Sequence, residues 1–581
     1  MKYKWIIKQL EKECIKHLNK ELGIPDVFCS LLVARNIKES EEAKCFLNPR
    51  LKNMHSPDLL YEMDKAVDKI AECIKKNGKI FLYGDYDVDG ITSTSVLYEC
   101  LNFLNARVDY YIPNRVREGY GLNVQAIELL HQQGANLIIT VDCGISDHKP
   151  IERANELGMN VIVTDHHEIG ETLPNAYAIV NPKDKRGNYP FKGIAGVGVA
   201  FKLAWALCQN FSDSNHKVTP EFRKYLLNAI ALVALGTISD VAPLFDENRI
   251  IAKYGLNVLE KSDKVGIRVL KAQANISKAS PLTAKHVGFC LAPRLNAMGR
   301  LSDSLECVKL LTTNDWELAN ELARKIEIQN RERKKVQEKI YNHAKRYIIE
   351  NNLKNNMVLT LACEDWHPGV IGIIASRLQE EFYRPVLMIA INEGVGQGSG
   401  RSIEGFHLFK ALQSVSQHLI GYGGHKFAAG FRVKKEDIPG LDKDINALAK
   451  QLLTDEDLKP SLTIDKEIEL ENITWDLVSL IEKMNPFGEC NPEPVFVAKS
   501  LEVIKNPPPQ RYGNRGSHLG FRVRRGDKVF RAIAFDFGTY HKEMMQNNHC
   551  DIVFNVKRNE WKGTESIQLH VKDIRCFTKT D

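Results

Sequence analysis

The stretch Gly84-Asp85-Tyr86-Asp87-Val88-Asp89-Gly90 sets three carboxylates at every second position and closes them with a glycine. Before it runs Lys79-Ile80-Phe81-Leu82-Tyr83, a short apolar segment of β type. After it, Ile91 to Leu104 is rich in Ser, Thr, Leu and Val and of helical length. The order is therefore strand, acidic loop, helix. Carboxylates so crowded repel one another unless a cation neutralises them, and Mg²⁺ or Mn²⁺ prefers oxygen ligands. A solvated acidic turn or a calcium loop has a similar pattern. The calcium loop requires a Glu at its twelfth position, which counted from Asp85 is Val96, inside an apolar helix.

The pattern of an apolar strand running into a polar end recurs. Val108 to Ile112 reads as a second strand. Asn136 to Val141 reads as a third and runs into Asp142-Cys143-Gly144. Met159 to Thr164 reads as a fourth and runs into Asp165-His166-His167, with a helix around Pro150 to Gly158 between. Such alternation predicts a doubly wound parallel α/β sheet. Asp87, Asp89, Asp142, His166 and His167 then share the edge where ligands of open parallel sheets bind. Asp240 follows the expected helix Leu226 to Leu235. By itself it is a turn aspartate, but the convergence of four such sites favours a metal centre. Several Asp plus His is the composition of Mn²⁺ or Mg²⁺ chemistry. Two metals sharing a carboxylate would activate a water and clamp a phosphoryl group.

With 581 residues, two to four domains are expected. An apolar content of 44% and a charged content of 26% are those of a soluble globular protein. No signal peptide is expected at the start, and the apolar run Leu226 to Ile238 is shorter than the ~20 residues of a membrane helix. Thirteen cysteines without a Cys-x-x-Cys pair suit a reducing, cytoplasmic setting. The net charge of +6 is mild and informative only where clustered.

Further along stands Leu295-Asn296-Ala297-Met298-Gly299-Arg300. Asn314 to Glu350 has helical character, with nine Lys/Arg against three Glu between Arg324 and Arg346. It reads as a connector with a solvated charged face, with nucleic-acid contact as the lesser possibility. A second α/β unit follows, with strands at Met357 to Ala362 and Pro385 to Ile391 and a helix opened by His367-Pro368-Gly369. Its glycine-rich stretches, Gly398-Ser399-Gly400-Arg401-Ser402 and Gly421 to Gly430, are expected to leave backbone amides free for an anion. From about Leu462, five β-type runs suggest a small barrel. Lys499 to Arg531 holds nine Lys/Arg against two acidic residues, interleaved with Tyr512 and Phe521. A basic groove with aromatic platforms holds single strands without reading sequence; a basic hairpin with core aromatics is the competing reading.

These motifs resemble the DHH phosphoesterase superfamily, named for the triplet seen here as Asp165-His166-His167. Within it they are close to the RecJ family of single-strand-specific 5′→3′ exonucleases. The resemblance implies an α/β fold made of a parallel-sheet DHH domain, a long connecting helix, a smaller α/β DHH-associated domain and a C-terminal OB-type barrel. The expected boundaries are 1–50 for an N-terminal helical segment, 51–310, 311–352, 353–458 and 459–581. It resembles the shorter members, without a fourth domain. The resemblance makes Asp87, Asp89, Asp142, His166, His167 and Asp240 ligands of two Mn²⁺ or Mg²⁺ ions, with Asp142 bridging. Asp85 and Asp165 belong to the same motifs, as further ligands or as groups that orient them. It places Arg115, Asn296, Arg300, Ser399, Arg401 and His425 on the substrate. It implies hydrolysis of single-stranded DNA from the 5′ end to 5′-mononucleotides, in repair and recombination. A single-strand-binding protein and a helicase would act beside it. Two alternatives stand: another superfamily phosphoesterase acting on oligonucleotides, cyclic dinucleotides or pyrophosphate, and a non-catalytic strand-binding replication factor. Against these stand the basic barrel and the complete set of motif carboxylates and histidines.

Overall fold

The computed structural model describes residues 3–115, 118–212, 217–276, 281–561 and 563–578, the side chain of Leu301 apart. They form two compact units, one of residues 51–458 and one that joins residues 1–50 to residues 459–581. No helix among the described residues is long and apolar enough to cross a membrane.

The first unit is built on a five-stranded parallel sheet. Its order across the sheet is Arg107–Tyr111, Lys79–Gly84, Ala135–Val141, Asn160–Thr164, Ala178–Val180. Ile80 and Leu82 point into one apolar layer and Phe81 and Tyr83 into the other. This burial on both faces is why the strands read as continuous apolar runs. The chain leaves Lys79–Gly84 to one side and returns on the other, so the sheet reverses direction between that strand and Ala135–Val141. Ligands of such sheets bind beyond the carboxyl ends at this reversal. The longest apolar run lies in the buried helix Pro220–Ser239.

The helix Trp316–Glu350, capped by the Asp315 side chain, follows. It is the expected connector, with an apolar face buried at both ends. Ala319, Leu322, Ala323 and Ile326 join the core of the first sheet, and Ile340, Tyr341, Ala344 and Ile348 that of a second. The second sheet runs Leu419–Gly424, Ala428–Lys434, Val395–Arg401, Val386–Asn392, Leu359–Cys363. Here the expectation for the glycine-rich stretches is corrected. They are paired strands, with Gly400 opposite Ala429 and Ser399 opposite Gly430. The backbone of Gly398 to Arg401 serves the ladder on both sides and is not a free anion nest, whereas Leu419–Gly424 is an edge strand paired on one side only. The glycines answer to packing instead: a Cβ on Gly398 would overlap the Phe431 ring.

In the other unit, pairing of Phe496–Val503 with both His549–Trp561 and His518–Arg525 closes a five-stranded barrel, completed by Thr564–Phe577 and Lys528–Ala534. The N-terminal segment is not purely helical. Lys4–Ile7 pairs in parallel with Ser461–Ile464, and Trp5 Nε1 donates to Asp573 Oδ2 at 2.7 Å. Phe521 is buried in the barrel and Tyr512 is exposed on its edge strand, so only Tyr512 of that pair is free to stack. Lys499 and Arg525 are tied to Glu467 and Glu469. The side chains of Arg515, Lys528 and Arg531 have no hydrogen bond or ion pair among the described residues.

Candidate metal centre and phosphate cleft

Register builds the site. Gly84 lies beside Val141, Val141 beside Thr164, and Thr164 beside Val180. The next residues, Asp85, Asp142, Asp165 and Asn181, therefore fall in one row. Their order is held by Asp85 N on the Val141 carbonyl, Asp142 N on that of Thr164 and Asp165 N on that of Val180. All four are buried.

Each side chain has a defined duty. Asp87 caps the helix Val88–Phe103, with Oδ1 accepting from the amides of Asp89 (2.9 Å) and Gly90 (3.1 Å). The two oxygens of Asp89 accept at 2.8 Å from the amides of Gly196 and Val197, at the positive start of the helix Gly196–Asn210. Gly196 is needed there, since a Cβ would come 2.5 Å from Asp142 Oδ1. Asp142 adopts a left-handed φ of 63°, which Asp tolerates. His166 Nε2 stands 3.1 Å from Asp142 Oδ1 and 3.8 Å from Asp89 Oδ2. Asp165 accepts from the amides of His166 (2.7 Å), His167 (3.1 Å) and Ile145 (3.0 Å), and from His167 Nδ1 at 2.7 Å. Asp165 thus orients the two histidines. Asp240 ends the helix Pro220–Ser239 and is followed by Val241 at φ 59°, a strained conformation for a β-branched residue.

Three overlapping trios result: Asp85, Asp87 and Asp142; Asp142, His166 and His167; Asp89, His166 and Asp240. Within each, candidate ligand atoms lie within 4.8 Å of one another. Asp142 belongs to two trios. Asp85 Oδ1 is buried without a hydrogen-bond partner among the described residues, and so is Asp142 Oδ1 apart from the His166 ring nitrogen 3.1 Å away. Burial first, and neighbouring aspartates second, push Asp85, Asp89 and Asp142 well above the usual carboxylate range, and Asp240 up to about 7. Burial, with His167 beside it, takes His166 down to about 4, so it stands as the neutral imidazole that binds metals. Burial works against the His167 cation, but Asp165 outweighs it and raises this imidazole. Crowded carboxylates with orphaned oxygens and a neutral imidazole fit a hard divalent cation.

A cavity of about 370 Å³ opens over these groups, lined also by Tyr86, Tyr120 and Asn296. A second, of about 320 Å³, is lined by Ser399 and Arg401 of the second sheet. Arg115 and Arg300 line both, so the two form one cleft. Arg401 Nη1 donates to the Gly400 carbonyl at 2.8 Å and to Ser399 Oγ at 3.3 Å. The Arg115 guanidinium lies over the Tyr86 ring, 5.1 Å from its centre. Burial, then the Arg115 and Arg333 charges, takes Arg300 down to about 10. Asn296 has a structural duty as well: its Oδ1 accepts from Val88 N at 3.2 Å. Its motif is a helix, Ala292–Leu301, entered through a π-helical turn at Val287–Leu291. His425 lies exposed, outside both linings. Sequence reasoning overlooked Asn181, which donates to the His167 carbonyl at 3.1 Å. It gave no role to Tyr120 of Gly119-Tyr120-Gly121, whose OH is 3.2 Å from His167 Nδ1. The left-handed glycines on either side, Gly119 and Gly121, were its one signal.

A parallel sheet with acids and histidines along one carboxyl edge, facing a smaller mixed sheet, defines a metal-dependent phosphoesterase of DHH type. Residues 79–232 match the DHH family N-terminal domain, residues 355–451 the DHHA1 domain and residues 464–573 the RecJ OB domain. The single-stranded-DNA-specific exonuclease RecJ of Bacillus subtilis is 38% identical over 98% of this chain and 71% of its own. That of Haemophilus influenzae is 35% identical over 93% and 94%. The crystal structure of RecJ from Thermus thermophilus in complex with Mn²⁺ superposes with a TM-score of 0.82 at 27% identity, covering 100% of this chain and 80% of its own. The chain belongs to the RecJ family of single-stranded-DNA-specific exonucleases.

Proposed function

We propose that this chain hydrolyses single-stranded DNA from its 5′ end with Mn²⁺ or Mg²⁺, releasing 5′-mononucleotides. The observation that carries this is the single cleft running from the acid–histidine cluster, past Arg115 and Arg300, to Ser399 and Arg401. Asp87, Asp89, Asp142, His166, His167 and Asp240 would hold two ions, with Asp142 shared and Asp85 beside it. When bound, such a pair lowers the pKa of water and clamps phosphoryl oxygens. The remaining duties are the protein's own. Arg115 and Arg300 hold the scissile phosphate. Ser399 and Arg401 receive the terminal 5′-phosphate, for which a forked guanidinium suits two oxygens at once. Water attacks phosphorus and the bond to the 3′ oxygen breaks. The mononucleotide departs with a 3′-hydroxyl, and the shortened strand begins with a new 5′-phosphate, ready for the same pocket. Phosphate contacts carry no base information, so cutting is nearly blind to sequence.

The exposed Tyr512 and the unpaired side chains of Arg515, Lys528 and Arg531 fit a role for the barrel in holding the strand. Repair and recombination in the cytoplasm, beside a single-strand-binding protein and a strand-opening helicase, follow from the family resemblance. The test uses 3′-labelled single strands with a 5′-phosphate or a 5′-hydroxyl, in Mn²⁺. Shortening from the 5′ end, faster with the phosphate, is expected; erosion from the 3′ end, or cutting of circular strands, would overturn the reading.

A further inference from the structure

Two short loops set the trio Asp89, His166 and Asp240. The first, at Gly193, leads into the helix Gly196–Asn210, whose opening amides, those of Gly196 and Val197, hold both oxygens of Asp89. Ala195, at the cap position of that helix, has no side-chain acceptor to compete for them. The second is the turn after Asp240, which passes through Val241 at its left-handed φ of 59° to Pro243. Such a conformation in a β-branched residue persists only where the surroundings impose it. The two loops abut, since a Cβ on Gly193 would lie 2.8 Å from Pro243 Cγ.

One side chain joins them. Asn248, in the first turn of the helix Asp246–Lys261, is fully buried. Its Nδ2 donates to the Gly193 carbonyl at 2.7 Å and to the Pro243 carbonyl at 3.1 Å, which uses both hydrogens of the amide. Its Oδ1 is buried without a hydrogen-bond partner among the described residues, an arrangement that costs folding free energy. The residue before it fixes the start of the helix. Glu247, also fully buried, accepts from Lys202 Nζ, the Tyr189 hydroxyl and the His55 amide. What Asn248 contributes is a pair of donors at one firm point. One reaches the loop that leads to the amides of Asp89, and the other the turn that leads away from Asp240.

We propose that Asn248 is a positioning residue for the ion that Asp89, His166 and Asp240 would hold, clasping the two loops so that Asp89 and Asp240 keep their spacing. This rests on the reading of the site as a two-ion centre. Asn248 touches neither ion nor substrate. An ion on Asp85, Asp87 and Asp142 does not depend on the clasp, because Asp85 and Asp142 follow strand ends and are held by the sheet. Loosening the clasp therefore weakens one ion and spares the other.

Full-length Asn248→Leu keeps the bulk and removes both donors. It is compared with the unaltered protein and with Ile251→Ala, which opens a cavity on the apolar side of the same helix. Mn²⁺ binding to the chelator-stripped proteins is read by calorimetry, melting by circular dichroism, and turnover of single-stranded DNA over a range of Mn²⁺ concentrations. Asn248→Leu should bind one ion as the parent does and the other roughly 10- to 100-fold more weakly, the effect of removing a group that orients a ligand. Its turnover should be low at limiting Mn²⁺ and recover as Mn²⁺ is raised. Ile251→Ala should melt lower and keep both ions. Two unaltered ions in Asn248→Leu would overturn the proposal. So would equal weakening of both ions, or the same loss in Ile251→Ala, either of which assigns Asn248 to general stability. If Asn248→Leu does not fold, Gly193→Ala decides, because its methyl drives the loops apart without touching the helix. Weakening of one ion there supports the clasp, and two intact ions overturn it. Failure of the two-ion reading appears in the unaltered protein, as a single bound Mn²⁺, and is distinct from any difference between variants.

Discussion

Arg300 Nη1 donates to the carbonyl oxygen of Gly369 at 2.9 Å, tying the helix Ala292–Leu301 to the first turn of the helix Pro368–Phe382. The approach is close in the other direction too, since a Cβ on Gly369 would lie 2.5 Å from the Arg300 carbonyl oxygen. The two halves of the cleft therefore meet at a point that admits only glycine. Gly369→Ala should force them apart and misplace Arg300. Displacement of about 1 Å costs on the order of 10²-fold in rate, so kcat/KM should fall by about that factor while Mn²⁺ binding, read by calorimetry, is retained. Unchanged kinetics would mean the junction does not set the cleft.

Asp142 is the carboxylate shared between two trios. Asp142→Asn keeps its size and its tolerance of the left-handed backbone, so the substitution tests charge alone. Hydrolysis should drop by roughly 10³-fold, the upper range for loss of one key electrostatic contact. Metal analysis should find fewer bound ions, and circular dichroism an intact fold. Near-normal turnover by the folded variant would rule out the shared-ligand role.

Much of this centre was legible in the sequence because strand ends are legible. Apolar runs interrupted by Asp or Asp-His-His fix where a parallel sheet puts its acids, while the register that aligns Gly84, Val141, Thr164 and Val180 is seen only in the structure. Other parts were not legible, for physical reasons. Asn181 follows a three-residue strand, too short to show a period. The Gly398 to Arg401 stretch looked like turn chemistry, because a strand that packs against Phe431 needs the same glycines as a loop. Arg333 sits in a charge run that resembles a solvated face, and only tertiary packing distinguishes it from its neighbours. Lys4 to Ile7 is a strand only because residues 461–464 lie beside it.

Protons and cations should compete for the acidic cluster. The carboxyls of Asp85, Asp89, Asp142 and Asp240 are raised, chiefly by burial, Asp240 to about 7. A group whose folded pKa lies above its unfolded value adds stability that is present at low pH and lost as pH climbs through the folded pKa. His166, taken down to about 4, acts oppositely, but only below its ordinary value of 6.5. From about pH 6.5 to pH 8 the carboxyls dominate, and His167, raised by Asp165, has their sign. Chelated protein should therefore lose thermal stability across that interval. Saturating Mn²⁺ should stabilise it, and by more at the upper end, since the ion binds ionised ligands. Melting curves with chelator or Mn²⁺ at the two ends of the interval measure this; a metal increment independent of pH would contradict it.

The barrel's contribution can be isolated only if the N-terminal segment leaves with it. Lys4–Ile7 pairs with Ser461–Ile464, Arg35 Nε donates to the buried Asn491 Oδ1 at 2.9 Å, and Arg575 lies over the Trp5 ring. Deleting residues 459–581 alone would strand these partners and expose Phe28 and Leu31, both fully buried. Residues 51–458 form a compact unit by themselves and carry every residue of the cleft. That fragment should still shorten very short oligonucleotides and should bind long strands weakly. Each single-strand phosphate contact contributes about 0.7 to the slope of log affinity against log salt. Loss of contacts from Arg515, Lys528 and Arg531 should therefore lower the slope by about 2. Titration of a long fluorescent strand at several salt concentrations, full-length against fragment, gives both slopes. Equal slopes would mean that these three cations do not hold the strand, and the charge excess of Lys499 to Arg531 would then be a solvated surface.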